Sequence, residues 1–326
     1  MREGTGGCVM VPGLVDPFKD MLDRQGFVVL DGGLATTLEA HGHDLNDELW
    51  SARLLLENPG AVLRVHREFL GAGADCLITA SYQASLDGFA RCGLNAEAGA
   101  AAIRSSVDLA VKARREFLES QEAAAARSTP LIAASIGPYG AYLADGSEYS
   151  GRYDIDDGAL RAFHAPRWGI LADTEADLLA CETIPSLREA AVLLGLLADT
   201  PGVWAWFSFS CRDGVHLNDG SRFVDAVRLC AGAGRVVAVG VNCTAPDHVA
   251  ALISAARAET DGPIIVYPNS GETYDATSRT WCPAVSDVLW EDRVRSWFSA
   301  GAQGIGGCCR IGPQKIAMTR RVLNGG

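Results

Sequence analysis

Eight short apolar segments, spaced along the whole chain, constrain the fold most strongly. Each is rich in β-branched residues and nearly free of polar ones, and they begin at Phe27, Cys76, Leu131, Leu178, Val203, Val236, Pro263 and Gly304. A strand with one solvent-exposed face would alternate apolar and polar residues, whereas a continuously apolar strand is typical of a parallel sheet covered on both faces. We therefore predict a buried parallel sheet.

Segments with helical periodicity separate these strands. Three of them begin at clear start signals, namely Asn58-Pro59, Asp156-Asp157 and Ser186. The others are predicted at about 95–126, with an Ala-rich tail expected to be a solvated helix end or loop, and at 219–233, 246–259, 285–300 and 313–323. Strand-helix alternation eight times over predicts a single (β/α)8 TIM barrel over residues 25–326, with residues 1–24 as an N-terminal extension packing on it. A doubly wound open sheet is the alternative.

The positions of the polar residues favour the barrel. Each apolar run ends in reactive or polar side chains, which in a barrel converge on one mouth, where active sites lie. They are Asp31, Thr79–Gln83, Ser135, Glu182 and Thr183, Ser208 and Ser210, Asn242 and Cys243, Asn269 and Ser270, and Cys308 and Cys309.

Composition excludes several classes of function. The 326 residues carry a formal net charge of -12, and Lys and Arg are scattered, so no basic stripe suits nucleic acid. No apolar run approaches about 18 residues and the N-terminus lacks a signal-peptide pattern, so we expect a cytoplasmic protein without a membrane partner. The ten cysteines are then expected to be reduced and to serve metal binding, catalysis or core packing.

Three cysteines stand out from the rest. Cys243 follows the sixth apolar run, and Cys308 and Cys309 end the eighth, directly after Gly306 and Gly307. We expect the glycines to release the backbone from the pleat, so that both thiols and Cys243 reach one ion. Three thiolates with an open fourth position indicate catalytic Zn²⁺ rather than Mg²⁺ or Ca²⁺. The resulting charge of about -1 suits a fourth, substrate thiolate, which indicates alkyl transfer to sulfur.

Seven ordered motifs also resemble the homocysteine S-methyltransferase family, from about residue 25 to residue 324. They are DGGLATTLEAHGHDL, LITASYQAS, ASIGPYGAYLADGSEYSGRY, LLACETIPS, VNCT, YPNSGETYD and GIGGCCR. The third is most similar to the branch that uses S-methylmethionine. The resemblance implies a zinc-containing (β/α)8 barrel that methylates homocysteine, with Cys243, Cys308 and Cys309 as the zinc ligands.

The resemblance also implies roles for residues that bind the substrate. Asp31 and Glu182 would hold the ammonium group of homocysteine. The backbone N–H groups of Gly32 and Gly33, with Thr79 and Ser81, are candidates for its carboxylate. Gln83 falls where betaine-dependent relatives carry a tyrosine, and Asn242 and Asn269 are candidates for orienting ligands or the barrel rim. The histidines, including His164 in a family pattern, are expected to be structural.

The sequence therefore predicts a zinc-dependent enzyme that transfers methyl from S-methylmethionine, or less efficiently S-adenosylmethionine, to L-homocysteine, giving L-methionine. A betaine- or other onium-dependent methyltransferase is one alternative. A non-catalytic zinc or thiol redox sensor, with Cys308 and Cys309 cycling to a disulfide, is another. Small molecules are the expected partners, and the protein is expected to be a monomer or weak homo-oligomer.

Overall fold

The computed structural model of the protein describes residues 15–45, 50–120, 127–275, 280–282 and 288–325. The strands are β1 (Val28–Val29), β2 (Cys76–Ile78), β3 (Leu131–Ile136), β4 (Leu178–Ile184), β5 (Ala205–Phe209), β6 (Val236–Asn242), β7 (Ile264–Tyr267), β8 (Thr273–Asp275), β9 (Thr280–Cys282) and β10 (Gly304–Ile305). The α-helices are α1 (Pro17–Gln25), α2 (Leu34–Ala40), α3 (Leu54–Glu57), α4 (Pro59–Ala72), α5 (Leu86–Arg91), α6 (Ala96–Glu119), α7 (Tyr139–Leu143), α8 (Asp157–Ala172), α9 (Leu187–Asp199), α10 (Phe223–Ala231), α11 (Pro246–Arg257), α12 (Trp290–Ser299) and α13 (Pro313–Leu323). Single 3-10 turns cover Trp50–Arg53 and Ser147–Tyr149.

Eight of the strands close into a barrel. Their hydrogen-bonded order is β1-β10-β7-β6-β5-β4-β3-β2, and each pair is parallel. The two ends of this order also meet, because Leu30, just after β1, forms a parallel bridge with Cys76 of β2. The predicted (β/α)8 barrel is therefore confirmed, and the open doubly wound sheet is excluded. The remaining strands, β8 and β9, form an antiparallel hairpin in the connection from β7 to α12.

Both faces of the barrel strands are buried, which explains their continuously apolar sequences. In β3, Leu131 and Ala133 belong to the apolar cluster that contains Trp206, inside the barrel. Their neighbours Ile132 and Ala134 belong to the larger cluster formed with the surrounding helices. Side chains along one strand therefore alternate between two cores rather than between core and solvent.

Helix α1 covers the N-terminal end of the barrel. Asp16 caps the helix by accepting the N–H groups of Phe18 and Lys19, each at 2.9 Å. Phe18 is fully buried, and its ring meets the edge of Trp206 with centroids 6.2 Å apart. This leaves the C-terminal end, the mouth, for function. The boundary between an extension and the barrel at residue 25 stays a prediction.

The predicted helix starts agree with the observed caps. The side chains of Asn58, Asp156 and Ser186 each accept a backbone N–H at the start of α4, α8 and α9. These polar side chains satisfy donors that have no partner within the helix.

Two helices begin later than predicted, and a third predicted helix lies partly outside the described residues. Helix α10 begins at Phe223 rather than residue 219, because residues 216–222 form β-bridges such as Cys211 with Leu217. Helix α12 begins at Trp290. Helix α6 ends at Glu119, and most of the predicted Ala-rich tail, residues 121–126, lies outside the described residues.

Within the described ranges, no helix is both long and apolar enough to cross a membrane.

Candidate active site

Three cysteines meet at the mouth of the barrel. Cys243 follows β6, and Cys308 and Cys309 lie in the turn after β10. The Sγ atom of Cys243 is 2.7 Å from that of Cys308 and 3.9 Å from that of Cys309. All three sulfur atoms lie within 4.8 Å of one another, and all three cysteines are only partly exposed. Residues 65 positions apart in sequence are therefore brought together, as the predicted barrel requires.

The adjacent cysteines can act together because the strand has ended before them. Strand β10 stops at Ile305, so the alternation of a pleated strand does not apply to Cys308 and Cys309. The two preceding glycines are needed for space rather than for an unusual backbone angle. A Cβ on Gly306 would lie 2.6 Å from Leu30, and one on Gly307 would lie 2.1 Å from the side chain of Ile311. The positive φ values in this region belong to Cys243 (46°) and Arg310 (66°).

The donor set fits a thiophilic metal ion. Zinc–sulfur bonds of about 2.3 Å in a tetrahedron place sulfur atoms about 3.8 Å apart. Cys243 and Cys309 already lie 3.9 Å apart, whereas Cys243 and Cys308, at 2.7 Å, would have to separate by about 1 Å to bind one ion. The pKa of the Cys309 thiol is held well below its usual range because the thiols of Cys243 and Cys308 donate hydrogen bonds to its sulfur. The cluster therefore favours an anionic sulfur, which is the ligand form. Among the described residues, no histidine or carboxylate joins this candidate metal site.

Two buried carboxyl groups lie at other strand ends of the same mouth. Asp31, after β1, accepts the N–H of Ile78 with Oδ2 at 2.9 Å, whereas its Oδ1 is buried with no hydrogen-bond partner. Burial raises the pKa of Asp31 well above its usual range, and the charge of Glu182 adds to the effect. A buried carboxylate oxygen without a donor is a natural site for a cationic ligand group.

Glu182, on β4, is the second carboxyl group. The hydroxyl of Ser135 on β3 donates a short hydrogen bond to it, and the Tyr267 phenol on β7 lies close enough to favour its ionised form. Burial raises the pKa of Glu182 to about 8, and the nearby charge of Cys308 contributes in the same direction. An arriving ammonium group would oppose both effects and stabilise the ionised form.

The hydroxyl groups predicted to bind the substrate carboxylate are already engaged with protein. Thr79 Oγ1 lies 2.7 Å from Ser81 Oγ and accepts the N–H of Ser135 at 3.0 Å. Ser81 donates to the carbonyl of Ser135 at 2.8 Å. These contacts tie the loop after β2 to β3.

The two predicted glycines are tightly packed. The N–H of Gly33 donates to the carbonyl of Ile311 at 2.9 Å, so that group is already used within the protein. A Cβ on Gly32 would lie 2.2 Å from the same carbonyl oxygen. The close approach of these backbones explains both glycines without a ligand.

The three predicted amide side chains differ in their environment. Asn242 is fully buried and engaged at both ends, with Thr183 and Ser208. Gln83 donates to the carbonyl of Ala141 at 2.9 Å, but its Oε1 is buried without a partner. The Oδ1 of Asn269 is likewise buried without a partner. Gln83 and Asn269 therefore keep an acceptor for a ligand, whereas Asn242 positions its neighbours.

Sequence reasoning missed two features of the mouth. Tyr267 is hydrogen-bonded with Ser208 and lies near Glu182, and its signal was a polar group at the end of the apolar strand IIVY. The segment with Glu148 and Tyr149 lies close to the thiols. Burial is the main cause of the raised pKa of Tyr149, and the charge of Cys243 is the next largest. The motif that contains this segment resembles the family, but its sequence indicates no role for either residue.

His164 lies outside the mouth, as part of a buried network. Its Nε2 is 2.8 Å from Glu189, and its Nδ1 is 3.0 Å from the guanidinium of Arg167. His66 is fully buried with no hydrogen-bond partner on either ring nitrogen.

The fold and the site define a (β/α)8 barrel with a three-thiol candidate metal site and buried carboxyl groups at its mouth. The sequence pattern of the family described as homocysteine S-methyltransferase matches residues 28–323. The chain therefore belongs to the homocysteine S-methyltransferase family, and the predicted family and enzyme class are confirmed.

Individual relatives agree over nearly their whole length. Homocysteine S-methyltransferase of Escherichia coli (strain K12) is 48% identical over 308 residues, covering 93% of this chain and 97% of the relative. Homocysteine S-methyltransferase YbgG of Bacillus subtilis (strain 168) is 46% identical over 302 residues, covering 93% and 96%. The crystal structure of the metallated form of the homocysteine methyltransferase MmuM from Escherichia coli matches with a TM-score of 0.84 and 45% identity, covering 94% of this chain and 99% of that one.

Proposed function

We propose that this protein is a zinc-dependent homocysteine S-methyltransferase that uses S-methylmethionine, or less efficiently S-adenosylmethionine, as methyl donor. The observation that carries the proposal is the convergence of Cys243, Cys308 and Cys309 within 4.8 Å of one another beside two buried carboxyl groups. The relatives named above support the acceptor, homocysteine. The zinc and the donor are inferred from site chemistry and from the motif resemblance.

Cys243, Cys308 and Cys309 would hold the metal. When bound, zinc would supply the positive charge that deprotonates the thiol of homocysteine near neutral pH. The three cysteines leave the site with a net charge of about -1, which keeps a further sulfur electron-rich. They also exclude hard, oxygen-preferring cations from the site.

Asp31 and Glu182 would hold and orient the amino acid. The unpartnered Oδ1 of Asp31 can accept an N–H of the substrate ammonium, and Glu182 provides a second negative charge. Ser135 holds the carboxyl group of Glu182 by a hydrogen bond, and the phenol of Tyr267 lies nearby. Holding the ammonium group at two points directs the substrate sulfur towards the cysteines and lowers the entropic cost of the reaction.

The reaction is a displacement at a methyl carbon. A lone pair of the homocysteine sulfur forms the new S–CH3 bond, and the old S–CH3 bond breaks with its electrons passing to the sulfonium sulfur. The thiol proton leaves to solvent. With S-methylmethionine, both products are methionine, and the positive charge of the sulfonium disappears. Partly buried surroundings favour this charge neutralisation.

The test combines a donor panel with metal analysis. Purified protein is incubated with homocysteine and S-methylmethionine, S-adenosylmethionine or betaine, and methionine is quantified. We expect two methionines per homocysteine with S-methylmethionine, about one bound zinc per chain, and loss of both metal and activity in Cys308→Ala. Cys92→Ala, which changes an exposed cysteine, is the matched control.

Metal removal gives an independent check. We expect a chelator to abolish methionine formation and added Zn²⁺, but not Mg²⁺, to restore it. Full activity of metal-free protein would refute the role of zinc. Betaine outperforming both sulfonium donors would refute the proposed donor.

A further inference from the structure

Several buried oxygen atoms at the mouth lack a hydrogen-bond donor. Among the described residues they are Asp31 Oδ1, Gln83 Oε1, Glu148 Oε2 and Asn269 Oδ1. Burying such an atom without a partner is costly, and native proteins rarely do so outside ligand sites. Because all four are acceptors, the matching ligands should bring hydrogen-bond donors, such as the N–H groups of an ammonium ion.

Two of these acceptors belong to residues that pack on the same short helix, α7, beyond the strand ends. Gln83 Nε2 donates to the carbonyl of Ala141 in α7 at 2.9 Å. The backbone of Glu148 packs on the preceding residue of α7, since a Cβ on Gly140 would lie 2.3 Å from Glu148 N. The short helix α7 therefore holds Gln83 and Glu148 on one side of the mouth, five and twelve residues beyond the ends of β2 and β3.

This pair also lies near the reacting sulfur atoms. Tyr149 follows Glu148 and is 57% exposed as a whole residue. Burial of its hydroxyl is the main cause of a raised pKa, and the negative charges of Cys243, Cys309 and Cys308 raise that pKa further. Tyr82 precedes Gln83. Burial raises the pKa of its hydroxyl, and the negative charges of Cys243 and Glu148 raise that pKa further. The loops that carry Gln83 and Glu148 thus border the thiol cluster on its solvent side.

Geometry separates this pair from the carboxyl groups assigned to homocysteine. Asp31 and Glu182 lie at the strand ends, where the acceptor amino acid is proposed to bind. A displacement at carbon requires the donor to approach the acceptor sulfur from the other side, which is the solvent side. Gln83 and Glu148 lie farther along their loops than these strand ends, so their unpartnered oxygens are the acceptors left for the methyl donor.

We propose that Glu148 and Gln83 bind the ammonium group of the methyl donor and so select a sulfonium amino acid over donors that have no N–H group. This inference rests on the proposed function. S-Methylmethionine and S-adenosylmethionine both carry an ammonium group. The nitrogen of betaine is fully methylated, so betaine would leave both oxygens without a donor. Removing the charge of the pair should therefore cost most with a donor that has an ammonium group.

The test compares two sulfonium donors that differ in that group. S-Methylmethionine has an ammonium group, whereas dimethylsulfoniopropionate has the sulfonium and the carboxylate but no nitrogen. In the zinc-loaded protein with saturating homocysteine, kcat/KM is measured for each donor. We expect Glu148→Gln to lower the ratio of the two values, S-methylmethionine over dimethylsulfoniopropionate, by about tenfold or more, mainly through the KM of S-methylmethionine. Gln83→Leu should lower the ratio in the same direction.

Matched variants and outcomes keep the inference separate from the proposed function. Asp154→Asn makes the same charge change at an exposed position of the same segment and should leave the ratio unchanged. If dimethylsulfoniopropionate is not turned over, its inhibition constant against S-methylmethionine replaces its kcat/KM. An unchanged ratio in Glu148→Gln, or a rise confined to the KM of homocysteine, would overturn the inference. Failure of the wild-type protein to methylate homocysteine with any sulfonium donor would instead overturn the proposed function.

Discussion

Asn242 holds Thr183 by two hydrogen bonds. Its Oδ1 accepts the backbone N–H of Thr183 at 2.7 Å, and its Nδ2 donates to the Thr183 hydroxyl at 2.7 Å. Asn242 directly precedes a proposed metal ligand, and Thr183 directly follows Glu182. One buried amide therefore fixes the ends of β4 and β6 relative to each other.

Replacing Asn242 with alanine should destabilise the protein and loosen the metal site. Thr183 has a φ of 59°, which is strained for a β-branched residue and needs external support. The variant leaves buried groups of Thr183 and Ser208 unpaired, so we expect a loss of about 2–4 kcal/mol in the free energy of unfolding. Urea unfolding and zinc content measure the two effects.

Asn218→Ala is the matched control. It loses one half-buried hydrogen bond to Ser210, so it should cost about 1 kcal/mol in the free energy of unfolding. Equal losses in the two variants would contradict this role of Asn242.

Arg167 on α8 should matter for activity although it lies outside the mouth. It is buried, and it donates to the backbone carbonyls of Tyr82 at 3.1 Å and Gly137 at 2.6 Å. It thereby joins the loops after β2 and β3. Lysine has no planar fork to reach both carbonyls, so Arg167→Lys should displace these loops and lower kcat/KM by about 10- to 100-fold.

The matched control for Arg167 lies on the same helix. Arg161 forms an exposed ion pair with Asp199 at 2.6 Å, and Arg161→Lys should leave kcat/KM within about twofold. Steady-state kinetics for both substrates and a thermal melt distinguish positioning from unfolding. Wild-type kcat/KM in folded Arg167→Lys would rule out the positioning role.

Asp75 should dominate the stability of the N-terminal end of the barrel. It is fully buried, pairs with Arg127 at 3.2 Å and with Arg320, and accepts the N–H of Val29 at 2.9 Å. Asp75→Asn leaves two guanidinium groups without their counter-ion, so we expect a loss of about 3–5 kcal/mol without a change in the KM of homocysteine.

A surface ion pair provides the comparison for Asp75. Asp173 pairs with Arg104 at 3.3 Å, but its side chain is 82% exposed, so Asp173→Asn should cost less than about 1 kcal/mol. Denaturant unfolding of both variants at pH 7 measures the difference. Similar losses would mean that the buried pairs contribute no more than a surface pair does.

His66 should make the protein less stable in mild acid. Its ring is fully buried without a partner, and burial lowers its pKa to about 4 from the usual 6.5. Between these two values the unfolded chain binds a proton that the folded chain does not, so stability falls as the pH decreases through this window. The full effect is about 3 kcal/mol. It is absent above the unfolded pKa of about 6.5.

A non-titrating residue at position 66 isolates this effect. We expect the free energy of unfolding of His66→Leu to depend less on pH than that of the wild type, with the difference between them changing by about 3 kcal/mol from pH 7 to pH 4. Urea titrations at several pH values measure it. Parallel curves for the two proteins would show that His66 stays neutral in both states or is charged in the fold.

Much of this architecture could be predicted because its signals are local. Strands covered on both faces must be apolar throughout, so β3, β4 and β6 are visible as runs such as LIAASI. The caps at Asn58, Asp156 and Ser186 depend only on adjacent residues. The predicted start of α10 at residue 219 was wrong, because residues 211–222 pair with one another within the loop after β5 and so hold the chain out of the helix.

The sequence by itself determined the alternation of strands and helices and the residue types at the strand ends, including Cys243, Cys308 and Cys309. Barrel closure then forces those ends to one mouth, which is why the sequence alone predicts the candidate site. Only the tertiary structure decided which polar groups are already used by the protein. Asn242 and Gly33 are engaged, whereas Asp31, Gln83 and Glu148 each keep a buried acceptor. Hydrogen-bond partners depend on distances of a few tenths of an ångström between remote segments, and no local pattern in the sequence encodes them.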